Sequence, residues 1–181
     1  MKIRVFLSLV FFLGLVACDN SVEEAASVGK ALMPPVPLTG MVLVDDQNNP
    51  LPVDLLKKQY TYVLLVDSAC DDFCQQYIAL TGKTISQTTV SKPVKQLLLL
   101  GYEPEKDWLE KIKRENPAIT VAVLTRPIWA IFTLPFSQVA SDMLGAPLFL
   151  VDPRGFIVMA YDDLNEAGPL ITDLKSLDSK S

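Results

Sequence analysis

The stretch Tyr60-Thr61-Tyr62-Val63-Leu64-Leu65-Val66-Asp67-Ser68-Ala69-Cys70-Asp71-Asp72-Phe73-Cys74 decides how the rest of the chain is read. Its first seven residues are aromatic, β-branched or aliphatic. Continuity of this kind, rather than alternation, marks a strand covered on both faces at the centre of a sheet. The run then breaks into small and acidic residues and delivers two cysteines four positions apart. A helix is expected next, through Ile78 and Leu80 towards Thr89. If it begins near Cys70, the two sulfurs stand one turn apart on one face. That separation suits a disulfide if the local turn permits the torsions.

Downstream, Val94 to Leu100 is a second apolar strand. Trp108 to Glu115 is an amphipathic helix with Trp108, Leu109 and Ile112 inward and Glu110, Lys111 and Lys113 outward. Asn116-Pro117 stops it, and Ile119 to Leu124 is a third strand. Pro127 to Phe136 is apolar without a clear period. The run from Ala118 to Pro135 has the length of a membrane span, but Arg126 and Pro127 split it and the strand pattern accounts for it better. From Leu144 to Tyr161 two strands flank Asp152-Pro153-Arg154-Gly155, a hairpin turn by composition. Gly168 to Leu177 is a closing helix with Leu170, Ile171, Leu174 and Leu177 at helical spacing. Upstream, Met41 to Val44 and Leu51 to Val53 flank Asp45-Asp46-Gln47-Asn48-Asn49-Pro50 as a hairpin, and Asp54 to Gln59 is a short helical turn. Strands alternate with helices first and a hairpin and helix come last. The expected fold is α/β, a mixed sheet flanked by helices.

At the N-terminus, Lys2 and Arg4 precede an apolar run, Val5 to Ala17, that is too short to span a bilayer comfortably. It ends in Leu15-Val16-Ala17-Cys18, which resembles the lipobox of bacterial lipoproteins. The resemblance implies a signal peptide at 1–17 and acylation of Cys18, which would anchor an extracytoplasmic protein to a bacterial membrane. Asp19 points weakly to the inner membrane, on its periplasmic face. An ordinary secretory signal with an incidental cysteine is the alternative. Residues 18–37 are small, acidic or proline-bearing, including Glu23, Glu24, Gly29, Pro34, Pro35 and Pro37, and read as a flexible tether. Residues 38–178 form one domain.

Removing residues 1–17 leaves 14 basic against 21 acidic residues, a net charge of −7. That balance argues against nucleic acid as a partner. The chain has no histidine, so serine–histidine and cysteine–histidine catalysis and histidine-based zinc sites are excluded. No phosphate loop or dinucleotide fingerprint is present. With Cys18 acylated, Cys70 and Cys74 remain as an even pair in an oxidising compartment.

The order strand, cysteine pair, helix, strand, helix, hairpin and helix resembles the thioredoxin fold, and within it the Sco/SenC proteins that help assemble the copper site of cytochrome oxidase. Three features carry the likeness over roughly residues 38–177. Cys70-x-x-x-Cys74 follows the central strand. Glu103-Pro104-Glu105-Lys106-Asp107 follows the next strand. Phe149-Leu150-Val151-Asp152-Pro153-Arg154-Gly155 is similar to the family's Tyr-Leu-Ile-Asp-Pro-x-Gly. Two departures stand out. The family has proline after each cysteine, where this chain has Asp71 and Gln75. The family also holds copper with both cysteines and a histidine upstream of the final hairpin, where this chain has Leu144 or a neighbour. Ala146-Pro147 stands where thioredoxin-like proteins carry a proline facing the active cysteines, so the resemblance implies a substrate-facing Pro147.

The resemblance implies a thiol–disulfide accessory factor in oxidase maturation, with Cys70 attacking a partner disulfide and Cys74 resolving it. Its partner would be a protein with a cysteine pair, such as an oxidase subunit. A helix N-terminus near Cys70 favours thiolate there, whereas Asp67, Asp71 and Asp72 disfavour it. Three alternatives stay open. The two cysteines hold Cu(I) as a chaperone, with Met143 or Met159 as a third, thioether ligand. They form a static bridge or are buried thiols. Or the domain is a non-catalytic binding module of the Sco-like type. No cofactor is expected beyond copper.

Overall fold

The computed structural model describes residues 29–38, 42–52, 54–66, 70–101, 104–124, 129–130, 133–134, 136, 148–162 and 164–180. The elements are β1 (Lys30–Pro37), β2 (Tyr60–Val66), α1 (Asp72–Gln87), β3 (Val94–Leu100), α2 (Lys106–Glu115), β4 (Ile119–Val123), β5 (Leu148–Val151), β6 (Phe156–Tyr161) and α3 (Gly168–Asp178). The six strands form one sheet in the order β1-β6-β5-β2-β3-β4. β2, β3 and β4 run parallel. β5 runs antiparallel to β2, and β6 to β5. This is the mixed sheet expected from the order of strands and helices.

β2 lies in the middle, and all seven of its residues are buried. Its continuous apolar run is explained by alternation into two cores. Tyr60, Tyr62, Leu64 and Val66 join a cluster with Cys74, Tyr77 and Ile78 of α1, Leu109 and Ile112 of α2, and Leu170 and Leu174 of α3. Val63 and Leu65 face the other way, against Leu38, Leu43 and Phe136, with Leu51, Leu55, Leu56 and Trp129 packed around them. Trp129, Ala130, Thr133, Leu134 and Phe136 are helical positions, so helical residues reach both faces. Part of the unplaced stretch Pro127 to Phe136 is thereby accounted for. Among the described residues no helix is long and apolar enough to cross a membrane.

Two sequence readings are corrected. The flexible tether does not extend to residue 37: Lys30–Pro37 is the edge strand β1, antiparallel to β6 with Lys30 opposite Ala160 and Pro37 opposite Phe156. Three prolines and a largely exposed residue pattern hid it. An edge strand tolerates both, since one row of its backbone groups faces solvent. Gly29, just before it, is tucked so closely that a Cβ would lie 2.5 Å from Tyr161 Cε1 and 2.6 Å from Met159 Cε. The upstream hairpin is also reduced. Asp45 N donates to Asn49 O (2.9 Å) and Leu51 N to Leu43 O (2.8 Å), but among the described residues of the turn the two arms form a single bridge, Val44 to Pro50. The turn instead covers the outer edge of β4, with Val123 N donating to Val44 O (3.0 Å).

The final hairpin forms as read. Gly155 has φ +88°, a left-handed conformation that glycine adopts without strain. The buried Asp152 carboxylate accepts from Arg154 N (2.9 Å), Phe156 N (3.1 Å) and Arg154 Nε (2.7 Å). In α3, Leu170 and Leu174 are fully buried. They bring Leu170 O to the Tyr62 hydroxyl, which donates to it at 3.1 Å. Tyr62 and Tyr161 pack with ring centroids 6.5 Å apart, and neither is exposed to solvent.

Candidate redox site

The site grows out of the carboxyl end of β2. Val66 is opposite Leu100 at the matching end of β3, and Gly101 N donates to Val66 O (2.8 Å). Asp71 takes the N-cap position of α1 in extended conformation, and its carboxylate accepts from Cys74 N at 3.0 Å. Aspartate is well suited to this role, because its short side chain reaches an amide that the first helical turn leaves unpaired. Downstream, Tyr77 donates from its hydroxyl to Asp162 O (2.9 Å) and Gln76 from Nε2 to Leu164 O (2.9 Å). These bonds tie α1 to the chain leaving β6.

Cys70 and Cys74 form a disulfide with their Cα atoms 5.2 Å apart. The condition that the helix begin near Cys70 is met only to within two residues. The helix begins at Asp72, so Cys70 lies just before the cap and Cys74 within the first turn. The two sulfurs therefore sit in unlike places. Cys74 is 1 % exposed, whereas Cys70 keeps 9 %. Both belong to the buried cluster beneath α1, and Cys70 keeps the larger share of its surface. Phe73, between them, is 66 % exposed.

Asp71 counted in the sequence only as a charge opposing a Cys70 thiolate; its cap role was legible from an acidic residue three positions before Cys74. Asp71→Ala is expected to cost about 1 kcal/mol of stability, read as a lower urea midpoint of the oxidised protein with an unchanged slope. No effect on the midpoint would show that the cap does not hold α1.

The other site residues named from the sequence fare differently. Cys18, Asp67, Met143, Leu144 and Pro147 lie outside the described residues. Met159 is not a third ligand for a metal at the cysteines. It stands on β6 opposite Leu150, itself opposite Tyr62. That is two strands from β2 and four residues back from Val66, or about 13 Å along the sheet. Its sulfur instead lies 3.5 Å from the Tyr161 hydroxyl, which donates to it.

A three-ligand copper site does not fit these residues. The chain lacks histidine, and among the described residues no group of three histidine, cysteine, aspartate or glutamate side chains could hold a metal. Among the described residues, the two cysteine sulfurs are the soft donors at this place.

A central strand that hands a disulfide to the first turn of a helix, within this sheet order, defines a thioredoxin-like protein of Sco-like architecture. The chain belongs to the family described as the transmembrane-like, thioredoxin-like C-terminal domain, which matches residues 60–181. Among solved structures it is similar to BsSco, a member of the Sco family of cytochrome c oxidase assembly proteins, at 12 % identity and TM-score 0.62, covering 86 % of this chain and 100 % of that one. Yeast Sco1 with copper bound gives 16 % identity and TM-score 0.61, covering 86 % and 94 %. The thioredoxin domain of a thiol-disulfide oxidoreductase from Bacteroides vulgatus gives 17 % and 0.57, covering 85 % and 99 %. At such identities the likeness is one of fold. No curated protein matches the sequence.

Proposed function

We propose that this chain is a thiol–disulfide exchange protein, lipid-anchored at Cys18 on the outer side of a bacterial membrane. In this reading it serves maturation of the copper site of a respiratory oxidase by keeping the cysteines of a copper-receiving partner reduced. The observation that carries the exchange reading is a disulfide between two unequally buried cysteines, Cys70 keeping 9 % of its surface and Cys74 1 %. The Sco-family and oxidoreductase likenesses support the assembly context.

In the reduced protein, the Cys70 thiolate attacks one sulfur of the partner's disulfide. A mixed disulfide forms and the partner's other sulfur leaves as thiolate. Cys74, deprotonated, then attacks Cys70 Sγ, closing Cys70–Cys74 and releasing the partner's second thiolate. Two electrons pass to the partner, which is reduced while this chain is oxidised. Burial of Cys74 keeps the resolving sulfur away from other thiols, so resolution is intramolecular.

The test equilibrates the protein in glutathione buffers of graded poise, traps free thiols by alkylation and counts them by mass. A reversible two-electron couple in a protein that stays folded by circular dichroism is expected. Reduction only on unfolding would leave a static bridge. For the assembly role, deletion of the gene is expected to lower the amount of copper-loaded oxidase, and Cys70→Ser is expected not to restore it. An unchanged oxidase would remove that role.

The same adjacency of two sulfurs favours one second reading, Cu(I) carried between the two reduced thiolates as cargo. Stoichiometric Cu(I) binding by the reduced protein in competition with a chelator, lost in Cys70→Ser, is the result that reading requires.

A further inference from the structure

Phe73 lies inside the short loop that the disulfide closes, directly before the buried Cys74. Among the described residues four large apolar side chains are more than half exposed, Met33, Val42, Phe73 and Leu134. Phe73 alone of these is aromatic, and it alone adjoins a cysteine. An aromatic ring offers large contact area at small entropic cost, which is why such residues anchor interfaces. The buried side of α1 is supplied by Cys74, Tyr77, Ile78, Thr81 and Thr84, and Phe73 is not among them. Asp71, Asp72 and Gln75, which flank it in the chain, are all exposed. The Asp71 carboxylate is engaged as the helix cap, while Asp72 sits in the first turn of α1.

We propose that Phe73 and Asp72 select the partner of the exchange reaction, a proposal that rests on the exchange reading above. The partner is a cysteine-bearing polypeptide segment with an apolar side chain beside its cysteine and a basic residue next to that. The apolar side chain covers the Phe73 ring as the sulfurs meet. The basic residue faces Asp72, in keeping with the acidic balance of the chain. Phe73 and Asp72 act as specificity determinants and take no part in the electron transfer.

The experiment measures the rate at which the reduced full-length protein reduces three disulfides. Two are peptide disulfides identical but for the residues flanking cysteine, Leu and Arg in one, Ser and Glu in the other. The third is hydroxyethyl disulfide, too small to reach beyond the sulfurs. The Leu–Arg peptide is expected to react about tenfold faster than the Ser–Glu peptide, a ratio within reach of one partly buried apolar contact. Phe73→Ser is expected to remove most of that preference with the hydroxyethyl disulfide rate unchanged, and Asp72→Asn the part due to arginine, read as the ratio of the two peptide rates after each is divided by the variant's own hydroxyethyl disulfide rate. An undiminished preference in Phe73→Ser overturns the selection role while leaving the exchange reading in place. Failure of the unaltered protein to reduce any of the three overturns the exchange reading itself, and the selection role with it.

Discussion

Above pH 10 the folded protein is expected to lose about 2.8 kcal/mol of stability per pH unit through Tyr62 and Tyr161 together, since each contributes roughly 1.4. Burial raises the Tyr62 hydroxyl far above its ordinary value, and the Asp173 carboxylate adds to the effect. Tyr161 is likewise raised well above, by burial first, then by Tyr62 and Asp173. The sign follows from proton counting. Below pH 10 both hydroxyls are protonated in folded and unfolded chains alike, so the two make no difference. As pH rises through the unfolded value, the unfolded chain releases these protons and the folded one keeps them. The unfolded state then binds fewer protons, and stability falls with pH. Urea unfolding at a series of pH values reads the slope. Tyr62→Phe is expected to remove about half of this excess slope, while costing about 1 kcal/mol at neutral pH for the lost bond to Leu170 O. Parallel profiles for the variant and the unaltered protein above pH 10 would show that Tyr62 is free to ionise in place.

Cys70→Ser is expected to reduce exchange with any disulfide to the buffer background, because the remaining sulfur belongs to the more deeply buried cysteine. Cys74→Ser is expected to behave in the opposite way. Cys70 still attacks, but nothing resolves the product, so one equivalent of mixed disulfide accumulates and is visible by mass. This pairing of one silent and one trapped variant separates an exchange centre from a structural bridge, for which both substitutions would merely destabilise. Accumulation of a mixed disulfide in Cys70→Ser in place of Cys74→Ser would reverse the assigned roles.

The elements with strong local signatures were legible in the sequence. β2 and β3 are apolar runs too continuous for anything but buried strands, and Asp152-Pro153-Arg154-Gly155 names its own turn. α2 shows its buried side in Leu109 and Ile112. β1 was not legible, because an edge strand bearing Pro34, Pro35 and Pro37 takes its shape from β6, more than a hundred residues away in sequence. The cysteine pair was readable as a pair, from its place after β2. Its asymmetry was not, because that depends on where α1 starts. The start is set by a single capping bond from Cys74 N to Asp71, and moving it by two residues takes Cys70 off the helix. Met159 illustrates the converse. Its chemistry suited a soft metal, and only strand register removed it from the site.

β1 runs opposite to β2, as the pairings through β6 and β5 require. Gly29 is therefore at the same end of the sheet as the cysteines. On the proposed anchoring, the eleven residue steps from Cys18 to Gly29 reach at most roughly 40 Å. Such an anchor would attach at the cysteine end of the domain and hold the attachment point within that distance of the lipid surface, which sets how far from the bilayer a partner disulfide could be met.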